Sequence, residues 1–510
     1  MASPWCWSCL SPLRTPRAIL PSSTTTTRIT TAGFHSTAVQ YAMPAKKNKN
    51  SITQLKYRQG QTLRRKKKKA TENRARPPAI GERKAMRKRI VLSNPNALEV
   101  EGMQELSPET MIDNRLRGSV LGLPVTMLDQ LRAVQAFKPR QGWNIFRRPG
   151  TVLRRDALEL GQLFEKISGD DPAEKGKVVR KIITGPKGSG KTVHLLQAAA
   201  MGFLKNWVVI TVPDAYELVS GTTSYSPIEG SNPPQYVQPN ATSALLKRTV
   251  EANSKVLESL KVSQKHAGLE NLKPTMTLKD LAQLGLGDAA LSWPVFQALW
   301  AELTATSPAP GMENGFQSRP PTLVTVDGLS HWMTKTAYRA EDYSFVHPHD
   351  LVFVQHFLSL LKSDKPTLKN GGMLLYATST SNNPSSYSLE VGLDQMIARQ
   401  DGVSPTSPDY PAPEAYSNAD PRVLELFKPT AASGKEGVLE LQTLGGLTRE
   451  ETRGYLEYFA QSGLLRENIN EKWVSERWSL SGGGIIGELE KLGRHVSAPA
   501  KLAQPTPDVE

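Results

Sequence analysis

Residues 185–192 read Gly-Pro-Lys-Gly-Ser-Gly-Lys-Thr, and glycines spaced this way before a lysine and a hydroxyl suit phosphate chemistry. Gly185, Gly188 and Gly190 let the backbone turn tightly and aim its N–H groups at phosphate oxygens. Pro186, Lys187 and Ser189 complete the loop; Lys191 is placed to reach the β- and γ-phosphates and Thr192 to ligate magnesium through its hydroxyl. The flanks agree. The β-branched run at 177–184 predicts a buried parallel strand, and 193–203, rich in Leu, Ala and Gln, predicts a helix. The positive N-terminus of that helix completes an anion cradle. A glycine-rich surface turn, the competing reading, accounts for neither flank.

Such a loop needs a carboxylate opposite it. Residues 321–328, Pro-Thr-Leu-Val-Thr-Val-Asp-Gly, predict an apolar strand ending in Asp327, placed to hold magnesium across from Thr192. An aspartate that only caps its strand is the alternative. Gly328 stands where many ATP-hydrolysing motors carry a second acidic residue, so slow or absent turnover is expected. A further strand at 371–377 runs into Thr378, Ser379 and Thr380, polar groups that would sit beside Asp327, within reach of a γ-phosphate or its water. No Asn-Lys-x-Asp segment of the kind that reads guanine follows, so local motifs leave the base undetermined. His347-Pro348-His349-Asp350 has the donors for a metal, but the proline and the spacing favour a loop.

These groups belong to a chain of 510 residues, longer than one ordinary core supports, with 38% hydrophobic and 22% charged residues. No stretch approaches the roughly 18 apolar residues of a membrane span, so no membrane insertion is expected. The net charge of +15 is unevenly spread. Residues 1–90 hold 21 Lys and Arg against only Glu72 and Glu82, a balance of +19 that leaves the other 420 residues at −4.

The first part of this arm reads as an address. Residues 1–71 lack Asp and Glu, and Arg14, Arg17 and Arg28 are scattered among Ser and Thr, the composition of a mitochondrial presequence. Cleavage is expected between about residues 34 and 43. The chain's two cysteines, Cys6 and Cys9, lie inside this leader; their spacing suits a metal or redox pair, but zinc would need two more ligands nearby, so they are expected to leave with it. The polybasic segment that follows, densest at 64–69, repels itself and predicts disorder. It is either a solubilising tail or an arm that neutralises RNA phosphates.

Along the body, helices are expected at 107–117, 124–137 and 156–168, a second buried strand at 207–212, a Ser/Pro/Gly loop at 221–240 and a long helix at 241–262. The phrase 146–150, Phe-Arg-Arg-Pro-Gly, is placed near the nucleotide loop. Thr448 and Glu451 form a capping box for a helix over 450–462, whose Tyr455, Leu456 and Phe459 share a packing face. The organisation expected is a presequence (1–42), a basic arm (43–99), a nucleotide-binding domain (100–400, with an insertion at about 263–320), a Pro-rich connection (401–436), a helical lid (437–497) and a tail (498–510).

The order of these features resembles the death-associated protein 3 family, the nucleotide-binding protein of the mitochondrial ribosomal small subunit. The resemblance rests on an Arg-rich leader, the 185–192 loop, Val212-Pro213-Asp214-Ala215, Gln235-Tyr236-Val237-Gln238-Pro239, Val326-Asp327-Gly328 and the capped C-terminal lid, collinear over about 125–495. It implies an α/β fold: an AAA-like P-loop NTPase with a parallel sheet, flanking helices and a helical lid. It also implies residence in the head of the mitochondrial small subunit near the bridges to the large subunit, with ribosomal RNA and small-subunit proteins as partners. Bound guanine nucleotide (GTP or GDP) with magnesium is implied too; ATP stays open, as does an active NTPase in place of a structural component.

Overall fold

The computed structural model describes residues 90–494, apart from 170, 172–173, 267, 270–271, 274, 311–315, 363–366, 383, 415 and 429–435. The expected presequence, the basic arm up to residue 89 and the C-terminal tail fall outside these residues.

Five strands, β1 (Val178–Thr184), β2 (Val208–Val212), β3 (Thr322–Asp327), β4 (Gly372–Ala377) and β5 (Glu436–Thr443), form one parallel sheet in the order β2-β3-β4-β1-β5. β1 to β4 carry apolar residues on both faces, because a parallel sheet is covered on both sides, with Arg180 of β1 a buried exception. Val208, Ile210 and Val212 point into one core while Val209, between them, points into the other. On the second side lie α1 (Arg155–Ser168) and α2 (Lys191–Leu204); on the first lie α3 (Pro239–Ala252), α4 (Leu278–Gly287) and α5 (Ser292–Thr304). Beyond β5, α6 (Arg449–Gln461), α7 (Glu471–Leu480) and α8 (Ile486–Arg494) build a lid around Tyr455, Phe459, Leu465 and Leu489. The capping box at Thr448 and Glu451 is present. No helix among the described residues is long and apolar enough to cross a membrane.

Several elements differ from the sequence expectation, each for a physical reason. Residues 107–117 form turns and a short 3-10 segment, Asn114–Leu116, because Ser107 and Thr110 bond each other's backbone and side chain in place of a helix. The helix expected over 241–262 breaks at Asn253. Its side chain accepts from Val209 N–H and donates to Val209 C=O, both at 2.8 Å, supplying the pairing that edge strand β2 lacks. Within residues 263–320, expected to hold an insertion, α4 and α5 are part of the layer packed on the sheet. Within it, buried Glu302 pairs with buried Arg319 at 2.8 Å and accepts from Ser263, Gln264 and His266, which outweigh burial and hold its carboxyl below the usual value. Residues 437–443, expected to begin the lid, belong to the fifth strand of the sheet. At the other end of the chain, Leu92 and Ala97 of the expected arm are buried.

His356 lies edge-on to Trp293, Phe296, Trp300 and Phe357, and burial pushes its pKa down to about 4 from 6.5. Between those values the unfolded chain takes up the proton and the folded chain does not, so folding stability is lost as pH falls from about 6.5 to 4. Urea unfolding across this range should show the loss, and His356→Phe should reduce it by up to about 3 kcal/mol. A variant that keeps the full pH slope would contradict this placement.

Candidate functional site

Parallel strands deliver their carboxyl ends to one edge, which is where such sheets hold ligands. There the 185–190 loop leaves β1, Asp327 ends β3 and Thr378 follows β4. Gly185, Gly188 and Gly190 have φ of +144°, +85° and +96°, backbone that only glycine adopts without strain. Ser189 is fully buried and its Oγ has no partner. Lys191 Nζ donates to the carbonyls of Gly185 at 2.6 Å and Pro186 at 3.0 Å, so its ammonium is held over the mouth of the loop. Thr192 Oγ1 donates to Asp327 Oδ2 at 2.9 Å. The two residues expected to share a metal thus meet, although 135 positions separate them.

Burial pushes the Asp327 carboxyl up, against the opposing pull of Lys138 and the Thr192 hydrogen bond. It pushes the Lys191 ammonium down, with Asp327 opposing. Burial thus opposes the charge on each group, and a cation beside Asp327 or an anion beside Lys191 would offset it. No group of three or more His, Cys, Asp or Glu among the described residues could hold a metal alone. A hard cation here would be held by Thr192, Asp327 and the oxygens of its own ligand. The His347–Asp350 motif lies elsewhere as a short 3-10 segment, Pro348–Asp350, with His347 Nε2 2.9 Å from Asp420.

Side chains that the sequence does not announce hold the loop. Arg154, buried just before α1, donates to Ser189 C=O at 3.0 Å and Gly445 C=O at 3.1 Å, clamping the loop to the chain beyond β5. Gln197 of α2 donates to Thr151 Oγ1 and Val152 C=O, fixing a two-stranded ribbon, Val120–Gly122 with Gly150–Val152, against the site. Lys138 donates to Pro213 C=O at 2.5 Å and brings a second ammonium toward Asp327. These partners are tens of residues apart in sequence, and no local pattern signals them.

A cleft of about 310 Å³ opens over the loop. Its floor is Lys187, Gly188, Gly190, Lys191 and Thr192; its far end is Asp327 with Thr378–Ser381, as expected for the polar end of β4. Phe146, Pro149 and Gly150 from the expected neighbouring phrase form one wall. Tyr455, Tyr458, Ile486, Gly487 and Glu490 of the lid form the other. Gly487 N–H donates to Gly188 C=O at 3.0 Å, so the N-terminus of α8 sits directly on the loop.

Fold and cleft together define an α/β protein with a glycine loop at the carboxyl edge of a parallel sheet and a helical lid resting on it. Residues 151–492 match the family model of mitochondrial ribosomal death-associated protein 3. The small ribosomal subunit protein mS29 of Neurospora crassa is 39% identical over 428 residues, covering 83% of this chain and 85% of its own. Those of Mus musculus and Bos taurus are 24% and 23% identical, over 59% and 54% of this chain and 74% and 64% of theirs. The chain belongs to the mitochondrial ribosomal death-associated protein 3 family. With the family comes the compartment: this is a protein of the mitochondrial matrix, as the composition of residues 1–42 leads one to expect.

A side chain on Gly185 would collide with the Leu444 carbonyl, whereas one on Gly445 would meet nothing within 4 Å. Gly185→Ala should therefore lower stability by about 2 kcal/mol or more, and Gly445→Ala by less than about 0.5 kcal/mol. Equal denaturation midpoints for the two variants would show that the loop does not follow this path.

Proposed function

We propose that this chain is a structural component of the mitochondrial small ribosomal subunit that holds a guanine nucleotide with magnesium in the cleft, with little or no hydrolysis. The observation that carries this reading is the meeting of Thr192 with Asp327 beside Lys191, in a loop whose three glycines take the left-handed backbone that phosphate cradles use. The residues fit the group. Ser189 Oγ is buried without a partner, and the Lys191 ammonium is satisfied only by carbonyls of its own loop, which phosphate oxygens can replace. When bound, triphosphate and metal supply compact charge that joins loop, β3 and lid through charge-assisted hydrogen bonds. The small-subunit role is supported by the relatives, each named a small ribosomal subunit protein.

The surroundings favour holding over turnover. Gly328 follows Asp327 and carries no carboxylate to orient a water. The lid residues on the cleft wall, Tyr455, Tyr458, Ile486, Gly487 and Glu490, bring no cation to the phosphates. Arg140, the arginine in the cleft lining, stands beside Gln141 and Trp143 rather than on the lid. The basic segment up to residue 89, outside the described residues, suits contact with ribosomal RNA phosphates.

Purified chain should bind GTP with magnesium and gain about 4 kcal/mol of stability at a thousandfold excess over Kd. Lys191→Ala should remove both effects. Multiple turnovers per minute, abolished in Lys191→Ala, would contradict the structural role. The native chain should also stay with the small subunit in sedimentation after a high-salt wash; release into the free protein pool would contradict a ribosomal role.

A further inference from the structure

The glycine loop does not say which base is held, and the cleft wall does. Glu490 lies on α8 three residues beyond Gly487, whose N–H bonds the loop, so it stands about 4.5 Å further along the helix axis, away from the phosphate cradle. It lines the same cleft as Trp143, Phe146, Arg140 and Gln141 of the facing segment and Tyr455 and Tyr458 on α6. The rings of Phe146 and Tyr458 lie tilted at 46° to each other with centroids 4.6 Å apart. The Glu490 side chain is 23% exposed, and its Oε1 pairs with Arg494 one turn on. A side chain on Gly142 would collide with that same oxygen, so the absence of a Cβ there makes room for the carboxylate.

We propose that Glu490 is the residue that selects guanine, its carboxylate accepting the N1–H and the 2-amino N–H of the base. The inference rests on the reading that the cleft holds a nucleotide. An ionised carboxylate only accepts, and guanine offers it two adjacent donors. Adenine offers a bare ring nitrogen at the same position, which meets carboxylate oxygen lone pair to lone pair. Arg494 donates to Oε1, and the carboxylate keeps further acceptor capacity for a guanine edge. On the same wall, the Gln141 oxygen accepts from Lys138 N–H and the Trp143 indole. That leaves the Gln141 NH2 as the donor for guanine O6. Arg494 is a positioning residue that holds the carboxylate against Gly142.

The test compares GTP, inosine triphosphate, xanthosine triphosphate and ATP, each with magnesium, on the full chain by calorimetry. Inosine triphosphate lacks the 2-amino group and should bind the unchanged chain about tenfold more weakly than GTP, and ATP about a hundredfold more weakly. Glu490→Gln should weaken GTP about a hundredfold and strengthen xanthosine triphosphate, because a glutamine amide can donate to the 2-oxo group while accepting N1–H. Equal binding of GTP and inosine triphosphate by the unchanged chain, or a Glu490→Gln variant unaltered for both GTP and xanthosine triphosphate, overturns the assignment. If ATP and GTP bind alike and Lys191→Ala abolishes both, the cleft is a nucleotide site and Glu490 is not its reader. If no triphosphate binds, both readings fall. The inosine comparison needs no variant, so misfolding of Glu490→Gln cannot rescue the idea.

Discussion

The close approach of Gly185 to the Leu444 carbonyl governs the rest of the site. It forces the chain leaving β1 into a left-handed turn beneath the segment that follows β5, and only a residue without a Cβ passes there. The turn starts α2 at Lys191, so the lysine, the threonine and the helix N-terminus all face the same space. The register of β1 against β4, and of β4 against β3, then brings Asp327 within reach of Thr192. A glycine loop without this sheet order would lack its carboxylate.

The same crossing joins two bodies of structure. Leu444 N–H pairs with Thr184 C=O at 2.8 Å, prolonging the sheet, and Leu447 N–H pairs with Gly484 C=O at 2.7 Å, opening the lid. Arg154 bonds Ser189 and Gly445 at once, and Gly487 bonds Gly188. Loop, sheet and lid are thus tied by a handful of backbone contacts around a cleft whose charged groups are incompletely satisfied by protein. On the proposed reading, a triphosphate in that position would stabilise the junction by occupying it, a role that needs no chemistry at the γ-phosphate. It fits a component of a large assembly better than it fits a motor.

The local parts of this arrangement were legible in the sequence and the long-range parts were not. The 185–192 loop, the strand ending in Asp327 and the Thr448–Glu451 box each carry their signal within eight residues. Arg154, Gln197, Asn253 and the Glu302–Arg319 pair act on partners far along the chain, and single-sequence patterns give no hint of which buried polar group finds which. β5 was hidden for another reason. As an edge strand it alternates Val438 and Glu440, exposed, with the buried Leu441 and half-buried Leu439, and it follows a Pro-rich stretch that reads as connection. Residues 107–117 misled because Ser107 and Thr110 close a polar turn that competes with the helix their neighbours favour.

The most direct test of the account is a density map of the small subunit with this chain in place, at a resolution that shows side chains. The expected result is a nucleotide lying from the 185–192 loop to the wall of Trp143 and Tyr455, with a metal between Thr192 and Asp327. A cleft filled by a protein side chain, or closed by Ile486 and Gly487 with no anion beneath, would contradict it.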